Sequence, residues 1–182
     1  MSYEGYLFDS DSLIVAKNSY YSPEFCPAFW EFFLKGAEKQ KFHIIDKVAN
    51  ELKNGSDDDF LKQFVIANEG DISLATEADG ECVQKYSEIQ NWAATIWSVG
   101  KNPSSVTKAL EVFAKETSAD SWNVAYAAAH NLVVITNEKS EPNAQSKIKL
   151  PDAASHLNVQ VLKLHELMQI HSGPNFQYRD CE

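Results

Sequence analysis

The sequence predicts an α/β protein, a three-layer α/β/α arrangement around a central, mainly parallel sheet. Short apolar runs at 6–9, 42–46, 132–136 and 159–162 alternate with stretches of helical periodicity, the pattern of parallel strands joined by helical crossovers. The run Leu132-Val133-Val134-Ile135-Thr136 is apolar up to its closing threonine and β-branched after its leucine, as suits a strand covered on both faces. With 182 residues the chain is long enough to bury one sizeable core.

Taken in order, Tyr6-Leu7-Phe8-Asp9 reads as the first strand, followed by a loop through Asn18 to Pro23. Glu24 to Lys41 carries Phe25, Phe29, Trp30, Phe33, Leu34 and Ala37 at helical spacing, which predicts an aromatic face turned to the core. Phe42 to Asp46 is the second strand, and Val48 to Asn54 a helix ending near Gly55. The run Asp57-Asp58-Asp59 reads as the start of a helix over Phe60 to Ala67, not as a metal cage, because carboxylates favour a helix N-terminus. Ile72 to Leu74 extends briefly, and a long helix follows from about Ala78 to Trp97. Pro103 and Ser104 open the next helix, Val106 to Lys115. Thr117 to Asp120 fits the [ST]-x-x-[DE] capping pattern ahead of the alanine-rich helix Asp120 to His130. After the apolar strand, Lys147 to His156 reads as a loop with a short helix after Pro151, Asn158 to Leu162 as the last strand, and His165 to Ile170 as the last helix.

Charge narrows the classes of function. Lys+Arg 16 against Asp+Glu 26 gives a net −10, which argues against bulk electrostatic binding of nucleic acid. Residues 1–91 carry 8 basic and 17 acidic groups and residues 92–182 carry 8 and 9, so the excess (−9 and −1) lies in the first half. A divalent-cation site would account for part of it. No apolar run approaches the roughly 20 residues that span a bilayer, and no basic segment followed by an apolar stretch marks a signal peptide. Cys26, Cys82 and Cys181 are scattered, without metal-ligand spacing, as suits a reducing cytoplasm.

Four carboxylates stand at strand or helix ends. Asp9 follows the first strand, Glu51 lies just over one helical turn beyond Asp46, Asp120 opens the small-residue helix, and Glu138 follows the buried strand. In open α/β sheets ligands gather beyond the carboxyl ends of the strands. Hydrolysis of a phosphodiester is largely a matter of positioning and charge, which one or two Mg²⁺ or Mn²⁺ ions held by carboxylates supply. Separate elements must provide those carboxylates, and the alanines at 125 and 127–129 let helices approach closely. The five histidines show no pairing at ligand spacing and none is expected to be catalytic. Lys17, Lys139, Lys147 and Lys149 follow strand ends, where they are placed to touch phosphates, although surface solvation is the plainer reading for each.

At these residues the chain resembles the PIN-domain nucleases. The pattern is a strand ending in Asp (Leu7-Phe8-Asp9-Ser10-Asp11-Ser12), V-x-x-E (Val48-Ala49-Asn50-Glu51), an Asp beginning an alanine-rich helix (Asp120 to Ala129), and an apolar strand ending T-x-D, here Thr136-Asn137-Glu138. It looks closest to a subfamily with Lys149-Leu150-Pro151-Asp152 after that turn. Many PIN proteins are VapC-type toxins of bacterial toxin–antitoxin pairs. The resemblance implies a Mg²⁺- or Mn²⁺-dependent endoribonuclease with Asp9, Glu51, Asp120 and Glu138 as catalytic residues. Asp9, Asp120 and Glu51 would hold the metal, while Ser10, Asp11, Asn123 and Thr136 would support the site or touch substrate. It also implies RNA as substrate, a cognate antitoxin protein as partner, no membrane, and room for a homodimer. The domain would occupy 1–170, with 55–100 as a helical insertion and 171–182 as a tail. Glu138 departs from the family Asp by one methylene and is expected to act through a water.

Two other readings compete. Asp9-Ser10-Asp11 matches the D-x-D of haloacid-dehalogenase-like phosphatases, but Leu13 stands where that family wants Thr or Val, and Thr136-Asn137-Glu138-Lys139 offers no acidic pair. A PIN-like fold kept only for binding, as an adaptor with a degraded site, is the other.

Overall fold

The computed structural model describes residues 3–180; Cys181 lies outside them. Among the described residues five strands form the sheet: β1 (Gly5–Phe8), β2 (Phe42–Ile45), β3 (Ser73–Leu74), β4 (Leu132–Ile135) and β5 (Val161–Leu162). Their order is β3-β2-β1-β4-β5 and every pairing is parallel. The α/β/α class expected from the sequence is what forms. β2 and β4 are buried along their whole length, which explains why β4 reads as an unbroken apolar run and β2 as one interrupted only by His43. β5 is shorter than the sequence suggests, pairing only through Val161 and Leu162.

The helices are α1 (Ser10–Val15), α2 (Pro27–Glu38), α3 (Asp46–Lys53), α4 (Phe60–Ile72), α5 (Gly80–Trp92), α6 (Pro103–Phe113), α7 (Ala119–Ala129), α8 (Leu150–His156) and α9 (Leu164–His171). π-Helical turns continue α1 through Ala16–Tyr20 and α5 through Ala93–Trp97. α2 and α4 pack together, and α5, α7 and α8 pack together. These groups cover the two faces, as right-handed crossovers require.

Local chemistry sets most boundaries. Pro27 and Pro103 open α2 and α6, where a missing N–H costs nothing. Asp59 caps α4 by accepting from the Leu61 and Lys62 N–H groups at 2.8 and 3.3 Å, so the acidic run does serve a helix start. Asp79 and Asn102 cap α5 and α6 in the same way.

Three expectations need correction. Of the loop expected over Asn18 to Pro23, residues 18–20 are still helical, in the π-helical turn that continues α1, because Ser12, Leu13 and Ala16 turn one narrow face inward. α2 starts at Pro27 and not at Glu24, since proline inside a helix would break it. Phe25 therefore lies outside the helix and is 70% exposed, while Phe29, Trp30 and Phe33 are buried. The Thr117–Asp120 capping pattern is not used: Ser118 is the N-cap and makes no side-chain bond, because Asp120 is engaged elsewhere.

The aromatic core is tight. Phe8 meets Phe33 and Phe42 edge-on at 4.8 and 5.3 Å. Gly36 lets α2 lie directly on β2, since a Cβ there would fall 2.1 Å from the Phe42 ring. After α9 the chain turns through Pro174–Phe176 and folds back, with Ser172 bridging Tyr178.

Candidate active site

The site grows out of strand register. Phe8 pairs with Ile135, so the next residues, Asp9 and Thr136, emerge side by side. The chain runs outward from β1 to β2 and β3, then crosses back to β4 on the other side of β1. The seam between β1 and β4 is thus the topological switch point, where open α/β sheets place their ligands.

Asp9 is held there without structural employment. Its N–H joins the sheet by donating to the Ile135 carbonyl at 2.9 Å. It occupies the N-cap position of α1, yet its side chain caps nothing. The Ser12 N–H and hydroxyl instead reach the Asp9 carbonyl at 3.1 and 2.6 Å. Its buried carboxylate accepts the Thr136 hydroxyl at 2.9 Å.

Asp9, Glu51, Asp120 and Glu138 line one cleft of about 560 Å³, together with Ser10, Asp11 and Lys147. α3 contributes Glu51, the first turn of α7 contributes Asp120, and the loop after β4 contributes Asn137 and Glu138. The other acid of the second segment, Asp46, is turned to Thr76, whose hydroxyl donates to it at 2.8 Å.

Crowding and burial suppress ionisation. Burial pushes the Asp9 carboxyl up to about 7, with Asp120, Asp11 and Glu51 adding repulsion and the Thr136 hydrogen bond opposing. Burial also raises Glu51, against hydrogen bonds from Ser10 and the Ala119 N–H, and Asp120 repels it further. Asp120 is raised by burial, partly relieved by Lys147 and increased again by Glu138.

Glu138 behaves differently. Burial would raise it, but Lys147, the Leu150 N–H and Lys149 together hold it below the usual carboxylate range. Lys147 Nζ lies 2.5 Å from Glu138 and 3.4 Å from Asp120, and Lys149 Nζ lies 3.7 Å from Glu138. The Leu150 N–H donates to Glu138 at 3.1 Å. Among the described residues, no three His, Cys, Asp or Glu side chains close on one point at ligating distance. The four acids share a cleft without forming a closed cage.

Asn123 is fully buried with both amide atoms unpaired, and it does not line the cleft. Thr136 is buried and also accepts the Glu138 N–H at 3.2 Å. The pairing of Lys147 and Lys149 with the cleft acids is what sequence reasoning missed, since it set phosphate contact below surface solvation for them. Their signal was two lysines one residue apart, between the T-x-[DE] turn and the helix that follows. The aromatic face expected to turn to the core does so at Phe29, Trp30 and Phe33, and Phe25 is left outside it.

The donors present suit a hard divalent cation. Asp9, Glu51 and Asp120 offer only oxygen ligands, and their mutual repulsion is the charge that Mg²⁺ or Mn²⁺ would neutralise.

The cleft thus sits at the switch point of a three-layer α/β/α fold. The fold is shared with a chain in the crystal structure of VapBC2 from Rickettsia felis bound to a DNA fragment from their promoter. That chain is 12% identical with a TM-score of 0.51, and the match covers 87% of this chain and 97% of that one. A chain in DNA-bound VapBC from Salmonella typhimurium is 15% identical over the same shares, with a TM-score of 0.49. Residues 6–173 match the family described as domain of unknown function DUF4411, and the chain belongs to that family. No curated protein sequence matches it. Among the described residues no helix is long and apolar enough to cross a membrane.

Proposed function

We propose that this chain is a Mg²⁺- or Mn²⁺-dependent endoribonuclease that hydrolyses RNA phosphodiester bonds, and that it acts as the toxin of a type II toxin–antitoxin pair. The observation that carries the reading is one cleft, at the switch point of a parallel sheet, in which burial and mutual repulsion raise the carboxyls of Asp9, Glu51 and Asp120. Those three residues would hold the ion. Once bound, it supplies an activated water and stabilises charge on the phosphate and the leaving oxygen.

The chain's own groups have separate duties. Thr136 fixes the orientation of Asp9, and Ser10 that of Glu51. Glu138 is spanned by Lys147 and the Leu150 N–H, so it orders the loop from 137 to 149 and acts on metal only at one remove. Lys147 presents a cation at the cleft rim, where a substrate phosphate arrives. The antitoxin would lay a tail carrying Arg or Lys across the acidic cleft. That partner is carried over from the VapBC complexes sharing the fold. Cys26 and Cys82 are free thiols, in keeping with work in a reducing cytoplasm.

One observation favours the adaptor reading instead. Lys147 already satisfies Glu138 and part of Asp120, as it would in a cleft that no longer recruits metal. A single assay separates the two: cleavage of single-stranded RNA with Mg²⁺ or Mn²⁺, and with EDTA, by wild type and Asp9→Asn. The nuclease reading expects cleavage abolished by EDTA and reduced by about 10²–10³ in Asp9→Asn, with a milder loss in Glu138→Gln. Cleavage undiminished in Asp9→Asn, or persisting in excess EDTA, would falsify the mechanism. Absence of both cleavage and metal binding would leave the adaptor.

A further inference from the structure

A second cavity, of about 450 Å³, adjoins the carboxylate cleft, and Asn137 lines both. Its character is opposite. Tyr20, Tyr21 and Val15 come from the end of α1 and its π-helical turn, and Lys163 and His165 come from the start of α9. Among the described residues no carboxylate lines it. Resting on the nuclease reading of the neighbouring cleft, we propose that this cavity binds one nucleotide of single-stranded RNA next to the scissile phosphate, its base on Tyr20 and its phosphate on Lys163 and His165.

Each wall matches part of a nucleotide. Tyr20 is 66% exposed, and its ring makes only a tilted contact with Tyr21 at 6.2 Å, so a face is open to a base. Tyr21 is rigid beneath it, stacked on Phe29 at 4.5 Å, with its carbonyl accepting the Trp30 indole N–H at 2.8 Å. Lys163 is exposed and enters no ion pair among the described residues, unlike Lys147, which the cleft acids engage. The Asn137 amide nitrogen, on the shared wall, is buried without an acceptor. Stacking platforms with a nearby cation are how proteins hold single strands without reading sequence. The arrangement also answers the adverse net charge: a strand crossing the Asn137 wall leaves the acidic cleft for a cationic, aromatic seat.

The test is binding without turnover, using a fluorescein-labelled, phosphorothioate-linked single-stranded RNA of about eight nucleotides in Mg²⁺, followed by anisotropy. Tyr20→Ala is expected to weaken binding by about 5- to 150-fold with the salt slope unchanged, and Tyr20→Phe to retain wild-type affinity. Lys163→Ala should lower the slope of log affinity against log salt by about 0.7. Wild-type affinity in both Tyr20→Ala and Lys163→Ala, with unmodified RNA still cleaved by wild type, overturns the cavity and leaves the nuclease standing. No binding and no cleavage by wild type overturns both.

Discussion

The Thr136 hydroxyl donates to Asp9 across the seam between β1 and β4 at 2.9 Å, and the same oxygen accepts the Glu138 N–H at 3.2 Å. One buried hydroxyl therefore couples the residue after the first strand to the loop that carries the last acid. Thr136→Val keeps the shape and removes both bonds. A hydrogen bond to an ionised group contributes about 1.5–3 kcal/mol, so the loss of stability should be of that order above pH 7, where Asp9 is charged. Thermal unfolding at pH 8 and pH 5.5 checks it. The gap between variant and wild type is expected to be wider at pH 8, and an equal gap would show that Thr136 does not support the charged form.

Asp9 makes the metal-free protein sensitive to pH. Its folded-state pKa is raised from 3.8 to about 7, so between these values the folded chain holds a proton that the unfolded chain has lost. Stability from this group is therefore present in acid and falls as pH rises through about 7, by up to roughly 4 kcal/mol. Asp9→Asn should flatten that dependence and raise the melting temperature of EDTA-treated protein at pH 8. Mn²⁺ should restore stability to wild type at pH 8 and do little at pH 5. A melting temperature for Asp9→Asn at or below wild type at pH 8 would mean that the carboxylate is not strained.

How much of this was legible in the chain depends on the range of the interaction. β4 could be read because a strand buried on both faces is an apolar run, and β2 because only His43 interrupts the same pattern. Asp9 and Thr136 could be placed at strand ends for the same reason, and β-strand register then made them neighbours. Phe25 misled because helical spacing continues backward through Pro27, while the proline ends the helix. The ion pairs of Lys147 were invisible because its partners, Asp120 and Glu138, lie 27 and 9 residues away in sequence. Only the folded loop brings a lysine of ordinary context to two acids. The second cavity was hidden likewise, since Tyr20 and Lys163 meet only through the order of the strands.

Gly36 sets the spacing of α2 on the sheet. An added Cβ would meet the Phe42 ring at 2.1 Å, and Phe42 is itself wedged among Phe8, Phe32 and His171. The ring has nowhere to go, so Gly36→Ala should destabilise by about 1–3 kcal/mol despite alanine's better helix propensity. Urea unfolding measures this, with a lower midpoint and an unchanged slope expected. A midpoint equal to or above that of wild type would show that α2 can lift from β2 at no cost.

Lys147 stands where a metal would relieve the same charges. Its ammonium bridges Glu138 and Asp120, all three partly solvent-accessible, so the ion pairs contribute only about 0.5–1 kcal/mol to stability after solvent screening. Lys147→Met should cost about that much, and less when Glu138 is already Gln, as coupled partners require. The more telling effect is on the cleft. Removing the lysine strips Asp120 of its ion pair and leaves Glu138 only Lys149 and the Leu150 N–H, so Mn²⁺ affinity measured by calorimetry should rise about 2- to 10-fold at low ionic strength, with the difference shrinking as salt screens it. RNA binding should weaken in the same variant, because the rim loses a cation that meets phosphate. Tighter Mn²⁺ with weaker RNA identifies Lys147 as a counterion that yields its place to metal and turns to substrate. Weaker Mn²⁺ binding would mean instead that the lysine holds the acids in the arrangement the metal needs.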